Sequence, residues 1–196
     1  MLPVGTRPIL EYVLNALIDT GIDDINLVVG YHANRVRSHF GSTYRDVPIT
    51  YHTQTNQLGS GHALLKAQDD LDGSFLVVNG DQIADRRIIE AVREAHTDGM
   101  ATLAVVEGEQ AVDYGAVKLD GDEIRELIEQ PVTGEYRLFN AGVYAVSAQI
   151  FETLATLSVD RGELPLTDGL QALIETDGHS VKGVQTDHFW MDATHP

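Results

Sequence analysis

Short apolar runs alternate with segments of helical periodicity over the first hundred residues, and this alternation constrains the fold more than any other feature. Ile25 to Val29, closed by Gly30, reads as a buried strand. Ile49 to His52, Ser74 to Asn79 and Ala101 to Val106 read as three more. The first helix carries Ile9, Val13 and Leu17, flanked by Leu10, Leu14 and Ile18, on one broad apolar face. Thr6 is its expected N-cap, Pro8 falls in its first turn and Gly21 stops it. Further helices are expected from about 33 to 40, from 61 to 68, and around Ile88, Ile89, Val92 and Ala95. Strands alternating with helices predict an α/β fold: a Rossmann-like, mostly parallel sheet with helices on both faces.

The pattern then changes. Gly115 to Leu119 and Glu123 to Ile128 flank Asp120-Gly121-Asp122 and predict an inserted antiparallel hairpin. Leu138 to Val146 reads as a strand, Ala148 to Leu157 as a helix, and Leu166, Leu170, Leu173 and Ile174 mark another. Val181 to Gln185 is the last strand expected. Without repeats, low-complexity stretches or a linker, residues 1–196 read as a single domain. In a doubly wound sheet the first strand lies centrally, with phosphate-binding glycines in the turn after it. This chain opens in a loop and runs straight into a helix, so the first central strand is expected to be missing.

Thirteen basic residues against thirty acidic ones give a formal net charge of −17. Such a surface repels phosphate backbones and anionic membranes, which excludes nucleic acid and membrane as partners. Dispersed acidity with only three lysines (Lys66, Lys118 and Lys182) suits a salt-adapted, halophilic host. The chain contains no secretory leader pattern, no bilayer-length apolar run and no cysteine, so the cytoplasm is the expected location. Oligomeric state is left open, a homo-oligomer included.

Asn79-Gly80-Asp81 ends the most convincing strand, and ligands in open α/β sheets gather outside the carboxyl ends of strands. A carboxylate there suits magnesium, a hard cation with oxygen ligands; capping of the next helix serves equally well from position alone. Asp192 follows the last strand and reads first as a loop carboxylate. His188 and His195 flank it as solvated side chains of a terminal segment. The stretch from Gln54 to Ala63 joins a strand to a helix. Gly59 and Gly61 there permit close backbone approach, and Gln54 and Ser60 can read a base edge. The plainer reading is a loop with a Ser60 cap and His62 as a packing or capping residue. Asp113-Tyr114-Gly115, Glu129-Gln130-Pro131 and Asn140-Ala141-Gly142 flank the hairpin and could grip sugar hydroxyls, although each also has a turn or edge-strand explanation.

Taken together and in this order, these segments resemble the sugar-1-phosphate nucleotidyltransferase family over essentially the whole chain. Leu2 to Ile9 is similar to the segment after the family's glycine-rich signature. Gln54 and Gln57 to Ala63 resemble its pyrimidine-reading loop, with Ser60 in place of the usual threonine. The resemblance implies nucleotide binding by Gln54, Gly59, Ser60 and Gly80, and sugar binding by Gly115, Glu129 and Asn140. It implies a magnesium site on Asp81 and Asp192, which are also its catalytic residues. The implied reaction joins UTP or dTTP to glucose-1-phosphate or N-acetylglucosamine-1-phosphate, releasing pyrophosphate. It further implies a Gly-x-Gly-x-Arg loop and a lysine ahead of Met1 and a closing helix beyond Pro196. The chain is therefore expected to be a fragment whose own activity is left open, with a non-catalytic nucleotide-sugar-binding module as the alternative.

Overall fold

The computed structural model describes residues 3–97, 101–108, 115–129, 131, 136–158, 162–176 and 180–193. Its elements begin with β1 (Pro3–Val4), β2 (Arg7–Pro8), α1 (Ile9–Asp19), β3 (Ile25–Val29), α2 (Ala33–Phe40), β4 (Thr43–Tyr44) and β5 (Val47–Thr53). Next come α3 (Ser60–Leu64), which runs into a 3-10 segment (Leu65–Asp70), β6 (Ser74–Val78), β7 (Gln82–Ala84), α4 (Arg86–Ala95) and β8 (Ala101–Glu107). The chain continues through β9 (Ala116–Asp120), β10 (Glu123–Ile128), β11 (Leu138–Ser147), α5 (Ile150–Thr156), α6 (Leu166–Ile174), β12 (Val181–Thr186) and β13 (Trp190–Asp192).

The main sheet has the order β6-β11-β8-β12-β10-β9. β11 lies antiparallel to both β6 and β8, while β8 and β12 are parallel from Ala101↔Val181 to Val106↔Thr186. β6, β8, β12 and β9 thus point one way and β11 and β10 the other; "mostly parallel" describes strand direction rather than adjacency. β11 takes an interior place because Phe139 to Val146 are all buried, so the strand needs cover on both faces and both edges. A smaller sheet pairs β3 with β5 in parallel, and β4 closes one side. β6 is hydrogen-bonded only to β11, and β3 only to β5, among the described residues.

Strand alternation divides the core. Leu103, Val105, Tyr144 and Val146 face Leu154, Leu166 and Leu170 of α5 and α6. Ala104, Val106, Val143 and Ala145 face Ile88, Ile89 and Val92 of α4. A third cluster joins Leu10, Val13 and Leu14 of α1 to Ile25, Phe40, Val47 and Ile49.

The starts of α1 and α4 differ from expectation. α1 begins at Ile9 with Pro8 at its N-cap, extended at φ −60 and ψ 141, and Thr6 makes no cap. Gly5, at φ +61, turns the chain between β1 and β2, so Thr6 is used in that hairpin instead. α4 is capped by Asp85, whose carboxylate accepts from Arg87 N at 3.0 Å. Hydrogen bonds from Arg87 hold that carboxyl well below the usual carboxylate range. Asp81 is therefore not the cap. The hairpin matches its expected strands: Asp120 pairs with Glu123 around Gly121-Asp122, with Gly121 at φ +65. Among the described residues no helix is long and apolar enough to cross a membrane.

Candidate active site

The segment expected as a terminal loop is a strand. β13 pairs antiparallel with β7, matching Trp190 to Ala84, Met191 to Ile83 and Asp192 to Gln82. The Trp190 indole donates to Ala141 O at 2.8 Å and anchors the segment to β11. Ala193 N donates to Asp81 O at 3.1 Å, so the backbones of the two candidate metal ligands meet at the end of this ribbon. Asp192 is buried, and Gln82 Nε2 donates to its Oδ2 at 3.3 Å. Gln82 Oε1 in turn accepts from Asn79 Nδ2 at 3.3 Å. Gly80 is exposed, and a Cβ there would touch only the tip of Leu10 at 3.7 Å.

This acidic rim closes over Gly142. Asn79 N donates to Gly142 O at 2.9 Å, and Gly142 has φ +66. A Cβ at 142 would stand 1.7 Å from Gln82 Oε1 and 2.6 Å from Asn79 Nδ2. Only glycine permits that approach. The pairing of β11 with β8 shifts register between Asn140 and Tyr144, which places this glycine at an irregularity beside the site.

The three candidate sugar residues come together. Asn140 N donates to Gly115 O at 2.9 Å, and a Cβ on Gly115 would lie 3.5 Å from Glu129 Oε1. Asn140 is buried; its Oδ1 accepts from Gly142 N at 3.0 Å and its Nδ2 donates to the Tyr144 hydroxyl at 2.6 Å. Burial pushes the Tyr144 phenol well above the ordinary tyrosine range, and the nearby Glu129 and Asp81 carboxylates push the same way. Tyr144 is therefore neutral, and its hydroxyl feels both the sugar and the metal candidates. Glu129 also accepts a short hydrogen bond from the Thr167 hydroxyl. Asp113, Tyr114, Gln130 and His195 lie outside the described residues.

The loop from Gln54 to His62 is pinned to a distant segment. Leu164 N donates to Leu58 O at 2.7 Å, while Gly61 N and His62 N donate to Leu164 O at 2.9 and 3.2 Å. Gly59, at φ +93, allows this contact, because a Cβ would lie 2.6 to 2.9 Å from Leu164 backbone atoms. The N-cap of α3 is Gly59, not Ser60; the Ser60 hydroxyl instead accepts from Leu166 N at 2.9 Å. Gln54 is buried and its Nε2 lies 3.0 Å from Gly59 O and 2.8 Å from His62 Nδ1. Leu164 to Thr167 thus joins the base loop to Glu129, and the Tyr144 hydroxyl lies within electrostatic reach of both Glu129 and Asp81.

Thr167, Gln82 and Tyr144 were not on the list read from sequence. Tyr144 shares a strand face with Asn140, a signal the alternation carries; Thr167 has no local signal because its partner Glu129 lies 38 positions away. None of the candidate residues lines the cavity of about 740 Å³ at the carboxyl ends of β8 and β12, which is walled by Val106, Glu107, Phe139, Thr186, His188 and Trp190. Among the described residues His188 is the only cation-forming side chain in that wall, against Glu107 and Asp187, which does not suit a phosphate.

Two aspartates whose backbones meet beside a pair of strands, one of them buried, next to a polar cluster and a glycine-fitted loop, make the layout of a nucleotide-handling α/β protein. The nucleotidyl transferase family model matches residues 1–194, and the chain belongs to that family. It is 34% identical over its whole length to the bifunctional protein GlmU of Methanococcus aeolicus, of which it covers 46%. It is 31% identical to the UTP–glucose-1-phosphate uridylyltransferase AglF of Haloferax volcanii, again over all of this chain and over 82% of that protein. The chain spans about half the length of the GlmU relatives it matches. In three dimensions it resembles a UDP-glucose pyrophosphorylase complexed with UDP-glucose at a TM-score of 0.84, with 20% identity, covering 98% of this chain and 79–84% of solved relatives of this fold.

Proposed function

We propose that this domain transfers a uridylyl or thymidylyl group from UTP or dTTP to a sugar-1-phosphate, giving a nucleotide sugar and pyrophosphate. The observation that carries the reading is the meeting of the Asp81 and Asp192 backbones at the β7–β13 ribbon, with Asp81 and Glu129 both within electrostatic reach of Tyr144. Two carboxylates with an amide neighbour are hard oxygen donors, a set that fits Mg2+. When bound, that ion neutralises charge on a phosphate.

The remaining work falls to this chain's own groups. Gln54, with Gly59 and Ser60 shaping the loop, reads the base. Gly115, Glu129 and Asn140 orient the sugar, and Thr167 and Tyr144 hold two of those side chains in place. Alignment of the sugar phosphate oxygen with the α-phosphorus is the main catalytic contribution, because no covalent enzyme intermediate is required. Glucose-1-phosphate and UTP are the first substrates to test, since the Haloferax volcanii relative is named for that pair. The acidic composition supports a setting at high salt, and the cytoplasm is the location we assign to it.

The test is pyrophosphate release and nucleotide-sugar formation from UTP and glucose-1-phosphate with Mg2+, repeated with dTTP and with N-acetylglucosamine-1-phosphate. Turnover is expected to fall on the order of 100- to 1,000-fold in Asp192→Asn. Binding of UTP without any turnover overturns the catalytic reading and leaves a nucleotide-sugar-binding module.

A further inference from the structure

The orientation of the Gln54 amide follows from its neighbours. One end lies 3.0 Å from the Gly59 carbonyl oxygen. A carbonyl accepts but never donates, so the end that faces it is the NH2 group. The same NH2 lies 2.8 Å from His62 Nδ1. That nitrogen must therefore accept, which places the imidazole proton on Nε2 and leaves the ring neutral. Burial lowers the His62 pKa, and the Lys66 ammonium one turn along the helix lowers it further, so the neutral ring is the favoured form.

With both amide protons committed, the only part of Gln54 left for a ligand is Oε1. It has no hydrogen-bond partner among the described residues, and none of their buried side-chain oxygens lacks one, so Oε1 reaches solvent. An acceptor at this position complements a base edge carrying N3–H, as uracil and thymine do. Cytosine presents a bare N3 acceptor there and meets repulsion instead. Turning the amide over would reverse the preference, and the lone pair of His62 Nδ1, with the Gly59 carbonyl, is what prevents that turn.

We infer that His62 is a positioning residue that fixes the polarity of Gln54 and so selects uracil or thymine over cytosine. This rests on the proposed reading of the loop as the base site. It assigns to His62 a role beyond packing: the residue acts through Gln54 without touching the nucleotide.

Calorimetric titration of UTP and of CTP, each with Mg2+, into the full chain and its His62→Ala and His62→Asn variants tests the assignment. Wild type is expected to favour UTP. In His62→Ala only the Gly59 carbonyl still opposes the turn, and the UTP-to-CTP affinity ratio should fall about tenfold. His62→Asn, whose carbonyl can accept from the Gln54 NH2, should restore most of the ratio; a purely structural role would not be rescued in this selective way. An unchanged ratio in His62→Ala overturns the inference while leaving UTP binding, and with it the proposed function, intact. Failure of wild type to bind either nucleotide overturns the base-site reading itself. If His62→Ala does not fold, imidazole 15N NMR of wild type decides: Nδ1 unprotonated and Nε2–H at neutral pH is expected, and a proton on Nδ1 refutes the inference.

Discussion

The base loop and the acidic rim are both built around a glycine with positive φ, but what each glycine touches differs. Gly59 presses on the backbone of Leu164, whereas Gly142 presses on the side chains of Gln82 and Asn79. Backbone cannot step aside without moving its segment, and here that segment carries Thr167 and the bond to Glu129. Side chains can rotate away, but Gln82 would then release Asp192. The loop is consequently held by the shape of a distant segment. The rim is held by a relay of amides packed against one glycine. Damage to the first should spread to the sugar cluster, while damage to the second should stay with the carboxylates.

Gly59→Ala is the strongest way to break this contrast. A methyl group against Leu164 backbone, on a φ that L-residues rarely adopt, should cost about 3 kcal/mol. It should also weaken UTP and sugar-phosphate binding together, as read by thermal melts and calorimetry. Stability loss with sugar-phosphate binding unchanged would show that the loop and Glu129 are not coupled through Leu164 to Thr167.

Gly142→Ala should cost somewhat less, about 2 kcal/mol, because Gln82 can swing aside. Its signature is a larger loss of Mg2+-dependent turnover than of UTP affinity, measured by the pyrophosphate assay and calorimetry. Equal loss of both would mean that the rim and the loop move as one body.

Ser60→Ala is the mildest change. It removes the acceptor for Leu166 N and should cost about 1 kcal/mol, seen in the denaturation midpoint. Ser60→Thr keeps the hydroxyl and should restore that loss. If Ser60→Ala leaves the midpoint unchanged, the loop is held by Leu164 alone.

Periodicity made most of this fold legible. Val28 and Val29, Val77 and Val78, and the α4 face of Ile88, Ile89 and Val92 announce their elements locally, because burial of an apolar face depends on spacing within a few residues. Asp81 stood out for the same reason, as the polar residue just past an apolar strand. Asp192 was not. Its segment is too short and too mixed to show strand alternation, and it becomes a strand only through β7 and the Trp190 bond to Ala141. The pinning of the base loop by Leu164 and the hold of Thr167 on Glu129 were likewise invisible, since neither residue signals its partner.

By itself the sequence determined the order of the longer elements, the two-faced core and which side chains could carry chemistry, all of which are consequences of local spacing and residue type. Tertiary structure alone decided which of them meet: Asp192 against Gln82 and Asp81, Ser60 against Leu166, Gln54 against His62. Those meetings depend on strand register and on two close backbone approaches between residues far apart in the chain, and short-range propensity carries no information about such distances.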